Sequence, residues 1–164
     1  MPGAPTTASA SMGGYTIFFE GSGVVIAECF SPRKLADSSA GSELIMATWA
    51  AKAIIGLRML QRELRLGPTG AMPLELDATA VLSGATMETV TRKQRFNAAR
   101  LGMLRQWALD AALRLVKVGT EDMRSDILTK PVVPAKQFQR LARLVLTGDA
   151  EAREPAAGAA SGMD

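Results

Sequence analysis

A stretch of helical periodicity from Glu43 to Leu66 constrains this chain more than any other feature. Ile45, Trp49, Ala53, Leu57, Leu60 and Leu64 recur at the helical repeat, and Leu44, Ala47, Ala51, Ile54 and Ile55 widen the apolar face. Ser38 to Ser42 supplies N-cap candidates, and Gly67-Pro68 ends the run. A helix this long and this apolar on one side must be buried against another layer of structure. The best candidates lie on either side of it. Tyr15 to Phe19 and Val24 to Phe30 are β-type runs joined by a Glu20-Gly21-Ser22-Gly23 turn, which reads as a hairpin. Met72 to Leu76 reads as a strand closing on Asp77, followed by a short helix from Thr79 to Ala85.

Thr91 to Leu109 reads as a second long helix, basic on one side, and Leu113 to Val118 alternates as a strand does. Ser125 begins a further helix, interrupted by Pro131 and Pro134 and resumed from Ala135 to Leu146. The expected order is β-β-α-β-α-α-β-α, an α/β pattern with an antiparallel hairpin at one edge. Residues 1–13 read as a flexible leader, 14–147 as the domain and 148–164, rich in Ala, Gly and acids, as a disordered tail.

Composition narrows the chemistry. The 164 residues include no histidine and one cysteine, Cys29, which excludes Ser-His-Asp and Cys-His nucleophiles, HExxH sites and a disulfide framework. Catalysis would have to rest on carboxylates, lysine, tyrosine or a hard cation held by oxygen. The apolar run Leu44 to Leu57 contains Lys52 and is too short to span a bilayer. The first ten residues lack a secretory pattern, so the expected compartment is cytoplasmic or nuclear, without membrane partners. Cys29, on a strand, is expected to be a buried small hydrophobe; Trp49 and Trp107 read as core residues rather than base-stacking platforms.

Two features could carry function. Between Thr86 and Lys117 lie seven Lys/Arg against Glu88 and Asp110, a basic excess that fits a polyanionic partner or simply a solvated helix face. Arg92, Lys93, Arg95, Arg100 and Arg105 are the candidate nucleic-acid contacts. Three acids also sit at element ends: Glu43 in the first turn of its helix, Asp77 after a strand and Asp126 opening a helix. Carboxylates so placed can converge on Mg²⁺, although the helix dipole favours acids at helix starts whatever the function.

A resemblance bears on that choice. Asp126-Ile127-Leu128-Thr129-Lys130-Pro131 resembles the A-D-I-L-T-K-P signature of copia-type retrotransposon polyproteins, with Thr120-Glu121 on that family's upstream T-E. Ser38-Ser39-Ala40-Gly41-Ser42-Glu43-Leu44 is similar to S-S-T-E-A-E-Y, and Ala50, Lys52, Leu57-Arg58, Leu60 and Glu63-Leu64 follow without a gap. Gly14-Tyr15 to Phe18-Phe19 looks like S-G-Y-x-F-F, and Leu76-Asp77-Ala78-Thr79-Ala80-Val81 like C-D-N-Q-S-A-I. The resemblance spans roughly residues 11 to 147.

It implies a ribonuclease H-like mixed sheet flanked by helices, a two-metal endonuclease that cuts RNA in RNA–DNA hybrids, and a reverse transcriptase domain upstream in a parent polyprotein. Glu43, Asp77 and Asp126 would be catalytic and metal-binding, holding two Mg²⁺ ions. It also implies a first catalytic aspartate on a strand ahead of the hairpin. The corresponding stretch here, MPGAPTTASA, has no acid, and the first acid in the chain is Glu20. The hairpin positions of Glu20 and Glu28 speak against their replacing it. Asparagine after the third acid is replaced by Ala78, and Arg95-Phe96-Asn97-Ala98 lacks the histidine and acid of the family's K-H-I-D. The expectation is therefore an N-terminally truncated fold, first strand missing, with impaired activity. The alternatives are a non-catalytic nucleic-acid-binding remnant and an unrelated α/β interaction module.

Overall fold

Tyr15 and Ile17 point to one side of the first strand and are buried, and that side faces the long helix. The computed structural model describes residues 12–19, 23–31, 39–66, 70–87, 92–130 and 134–147. Strand β1 (Gly13–Phe18) pairs antiparallel with β2 (Val24–Phe30), with an irregularity at Ile17/Phe18. Helix α1 (Ser39–Glu63) follows, then β3 (Met72–Leu76) and α2 (Thr79–Thr86). A 3-10 turn (Arg92–Asn97) leads into α3 (Ala98–Leu109), and β4 (Leu113–Lys117) returns parallel to β3. A second 3-10 turn (Thr120–Asp122), α4 (Asp126–Thr129) and α5 (Ala135–Thr147) complete the order.

This is a mixed α/β architecture, with one departure from expectation. A single mixed sheet is not formed among the described residues. There are two two-stranded sheets, β1-β2 and β3-β4, and no strand pairing joins them. Helix α1 holds them together, packing on both β1 and β3. Leu44, Ala47, Ala51 and Ile54 of α1 share one core with Tyr15 and Ile17 of β1, Leu74 and Leu76 of β3, Leu101 and Leu104 of α3, and Leu113 of β4. Leu104 and Leu113 are almost wholly excluded from water, as is Leu141 of α5. Burying one such leucine contributes roughly 2 kcal/mol from transfer alone.

Local corrections have local causes. Helix α1 begins at Ser39, so Ser39 to Ser42 lie inside it rather than capping it, and Glu43 falls in its second turn; Ser38 lies outside the described residues. Gly41 is buried within the first turn, where packing overrides its weak helix propensity. The helical stretch expected over Thr91–Leu109 is split. In 92–97 the large apolar residue is Phe96, which is 86% exposed, so no packed apolar face holds that turn in α geometry. From Ala98 onward Leu101 and Leu104 provide one. Gly13 belongs to β1 rather than to a leader; residues 1–11 and 148–164 lie outside the described residues.

Trp49 is half exposed, with the Phe30 ring edge-on at 5.7 Å and the Lys52 ammonium 5.7 Å from its centroid. It is a surface residue, whereas Trp107 packs against the core as expected. Cys29 is exposed rather than buried, and its thiol donates to the Leu128 carbonyl at 3.1 Å.

Candidate functional site: an acid-tipped cleft between two sheets

The separation of the sheets leaves a cleft of about 1110 Å³. Its walls are β1 and β3 over their whole lengths, and its floor is α1 through Met46, Ala47, Ala50 and Ile54. Side chains alternate along a strand, so Thr16 and Phe18, and likewise Glu75, face away from the α1 side. On that outer face Arg124 spans the gap. Its guanidinium lies 4.6 Å from the Phe18 ring centroid of β1 and donates to Glu75 Oε1 of β3 at 3.4 Å.

β3 runs against α1. Met72 lies at the end marked by Gln61 and by Arg58, whose guanidinium donates to the Gly70 carbonyl, and Asp77 lies at the end where α1 begins. Glu43, Asp77 and Asp126, which come from three separate elements, all line this cleft. The charges of Glu43 and Asp77 are coupled. Partial desolvation raises the Glu43 carboxyl above its usual range, and the Asp77 charge raises it further, while Lys117 opposes both. Lys117 also donates to the Asp77 carbonyl, which ties the end of β4 to the turn after β3.

Asp126 is held differently. It is buried at the first position of α4, and the Lys130 ammonium one turn later donates to its carboxylate. Helix α4 reaches it by packing on β1, where Gly14 leaves room for it: a Cβ at Gly14 would sit 3.1 Å from Thr129 Cγ2. Among the described residues no three acids are arranged to hold a metal ion together. With Asp126 bound to Lys130, the three carboxylates do not fit a two-ion Mg²⁺ site as they stand. Glu28, on β2, accepts the Tyr15 hydroxyl at 2.6 Å and is occupied there, and Glu20 lies outside the described residues.

The basic candidates divide. Arg92 and Arg95 are exposed on the 3-10 turn beside Phe96, and Arg100 is half-buried on α3. The side chain of Lys93 lies outside the described residues. Arg105 is turned inward, donating through Nε to the Ala85 carbonyl at 3.3 Å and through Nη2 to that of Gly84 at 3.2 Å. It closes the end of α2, where helix carbonyls lack intrahelical partners. The reading from sequence missed Arg124, Lys117 and Lys130 around the acids. The Asp126/Lys130 spacing of four was a usable signal; the pairing of Arg124 with Glu75, 49 positions apart, had none.

No described helix is long and apolar enough to cross a membrane. No family model, curated protein or solved structure matches the chain.

Proposed function

We propose that this chain is a ribonuclease H-like domain of copia-type retrotransposon descent, a two-metal endonuclease by ancestry that binds RNA–DNA hybrid but cuts it poorly or not at all. The observation that carries the reading is that Glu43, Asp77 and Asp126, the acids singled out by the motif resemblance, line one cleft. The hold of Lys130 on Asp126 accounts for impairment. Two divalent ions close together need a full ring of oxygen ligands, and an acid already neutralised by an ammonium is a poor one. In an intact polyprotein the partner domain would be an upstream reverse transcriptase.

A non-catalytic role is the second reading, favoured by the exposed Arg92, Arg95 and Phe96 on one short turn. An equilibrium binding measurement with RNA–DNA hybrid, at low and high salt with Mg²⁺, tests the proposal and follows cleavage in the same samples. Binding that weakens with salt and leaves the RNA intact is the expected result. Absence of binding at low salt removes both readings.

A further inference from the structure

We infer that the turn Arg92–Asn97 is a platform for single-stranded nucleic acid, on which Phe96 stacks an unpaired base while Arg92 and Arg95 hold phosphates beside it. This deepens the reading of the chain as a nucleic-acid binder and rests on it.

Phe96 is 86% exposed, more than any other large hydrophobic residue among those described. A bare ring gives up the transfer energy that burial would return, and here it stands among charges rather than in an apolar patch. Arg92 and Arg95, on the same turn, are exposed, and Arg100 adds a half-buried cation from the first turns of α3. None of the ion pairs among the described residues involves these three arginines. The 3-10 geometry arranges them. Side chains three positions apart eclipse, so Arg92 and Arg95 share one edge of the turn, roughly 6 Å apart along its axis. Phe96 takes the adjacent edge, next to Arg95.

That arrangement defines the chemistry of the occupant. A row of cations calls for a repeated anion, and a bare ring beside them calls for a flat apolar face. A nucleic-acid strand offers both, a phosphate and a base in every residue. The ring further selects an unpaired strand. In a duplex the bases are already stacked on one another, and the major groove of an A-form helix is too deep and narrow for a side chain to enter. Drawing a base out of such a stack costs about as much as stacking on one ring returns. Arginines alone would bind duplex and single strand through the same phosphate contacts; Phe96 adds a preference for the single strand. Every base has a π-face, so the preference among sequences is weak.

The test uses the whole chain, and Phe96 is exposed, so its replacement leaves the core untouched. Fluorescence anisotropy follows binding to labelled oligothymidylate and oligouridylate of about twelve nucleotides, to an abasic strand of the same length, and to a blunt RNA–DNA hybrid. Both base-bearing strands should bind, and the abasic strand about tenfold more weakly. Phe96→Ala and Phe96→Leu should each weaken binding of the base-bearing strands about tenfold, and Phe96→Trp should retain it. The salt slope should not change in these variants, because a stacked ring releases no counterions, and affinity for the blunt hybrid should hold. Equal binding of the abasic strand, full affinity in Phe96→Leu, or equal losses on strand and hybrid overturns the inference while hybrid binding stands. Self-association that disappears in Phe96→Ala with strand binding unchanged also overturns it, in favour of a protein interface. Absence of binding to every probe at low salt overturns it together with the reading on which it rests.

Discussion

The guanidinium of Arg124 lies 4.6 Å from the ring centroid of Phe18, and through its bond to Glu75 this one side chain joins the outer faces of two sheets that share no strand pairing. Its side chain is 13% exposed, so the cation–π contact is partly desolvated and worth about 1 kcal/mol, whereas the Glu75 carboxylate, 36% exposed, adds little. Replacement Arg124→Ala is expected to lower stability by about 1–2 kcal/mol in urea unfolding. Arg124→Lys recovers only part, because an ammonium does not stack as a planar guanidinium does. Glu75→Gln costs less than Phe18→Leu; the reverse order would place the weight on the ion pair instead.

Tyr15 offers a clean probe of the hairpin, since the chain has one tyrosine. Burial, and then its hydrogen bond to the negative Glu28, push its hydroxyl up to about 12 from the ordinary 10.0. The folded state therefore holds the proton more tightly than the unfolded one, and stability falls as pH rises from the ordinary value through the raised one. Tyrosinate absorbance should titrate near 12 in the folded chain. In Glu28→Gln, and in denaturant, the midpoint should move down. A folded midpoint at the ordinary value would mean that Tyr15 and Glu28 do not meet.

Glu43 should show the same sign at acidic pH. Its folded carboxyl is raised by desolvation and by Asp77, so charging it costs stability as pH climbs above the ordinary carboxylate range. Glu43→Gln is expected to raise Tm slightly at neutral pH, on the order of 1–2 °C given its solvent access, and to change nothing below the ordinary range. Asp77→Asn should lower the Glu43 midpoint, as read by carboxyl NMR. Loss of stability in Glu43→Gln at neutral pH would contradict the coupling.

Nucleic-acid affinity should follow exposure rather than charge count. Arg92→Gln, Arg95→Gln and Arg100→Gln together are expected to weaken hybrid binding and flatten its logarithmic salt slope by about 2. Arg105→Gln should instead destabilise the end of α2, because its guanidinium is committed to the Gly84 and Ala85 carbonyls. Unchanged affinity in the triple variant would leave the basic stretch as a solvated surface.

What was legible in the sequence was whatever is written in local periodicity. Short β-type runs placed β1 to β4 within one or two residues, and apolar residues at helical spacing placed α1, α3 and α5, each of which buries at least one leucine. The ends of α1 and α3 were less legible. Whether Ser39 to Ser42 cap a helix or continue it depends on what Gly41 packs against, and whether 92–97 is α or 3-10 depends on Phe96 finding no core. Strand pairing was not legible, because it joins residues far apart in the chain; nothing in the spacing of Ile17 and Leu74 says that their strands remain in separate sheets. Glu43, Asp77 and Asp126 could be singled out by motif, but the hold of Lys130 on Asp126 and of Lys117 on the Asp77 carbonyl emerged only in three dimensions.

The most direct measurement is Mg²⁺-dependent cleavage of an RNA–DNA hybrid by this chain and by a version extended upstream with a strand carrying an aspartate. The chain by itself should leave the RNA intact or nearly so. The extended version should cut it, and Asp77→Asn in that version should abolish cutting. Robust cleavage by the unextended chain that survives Asp77→Asn would contradict the assignment of the site.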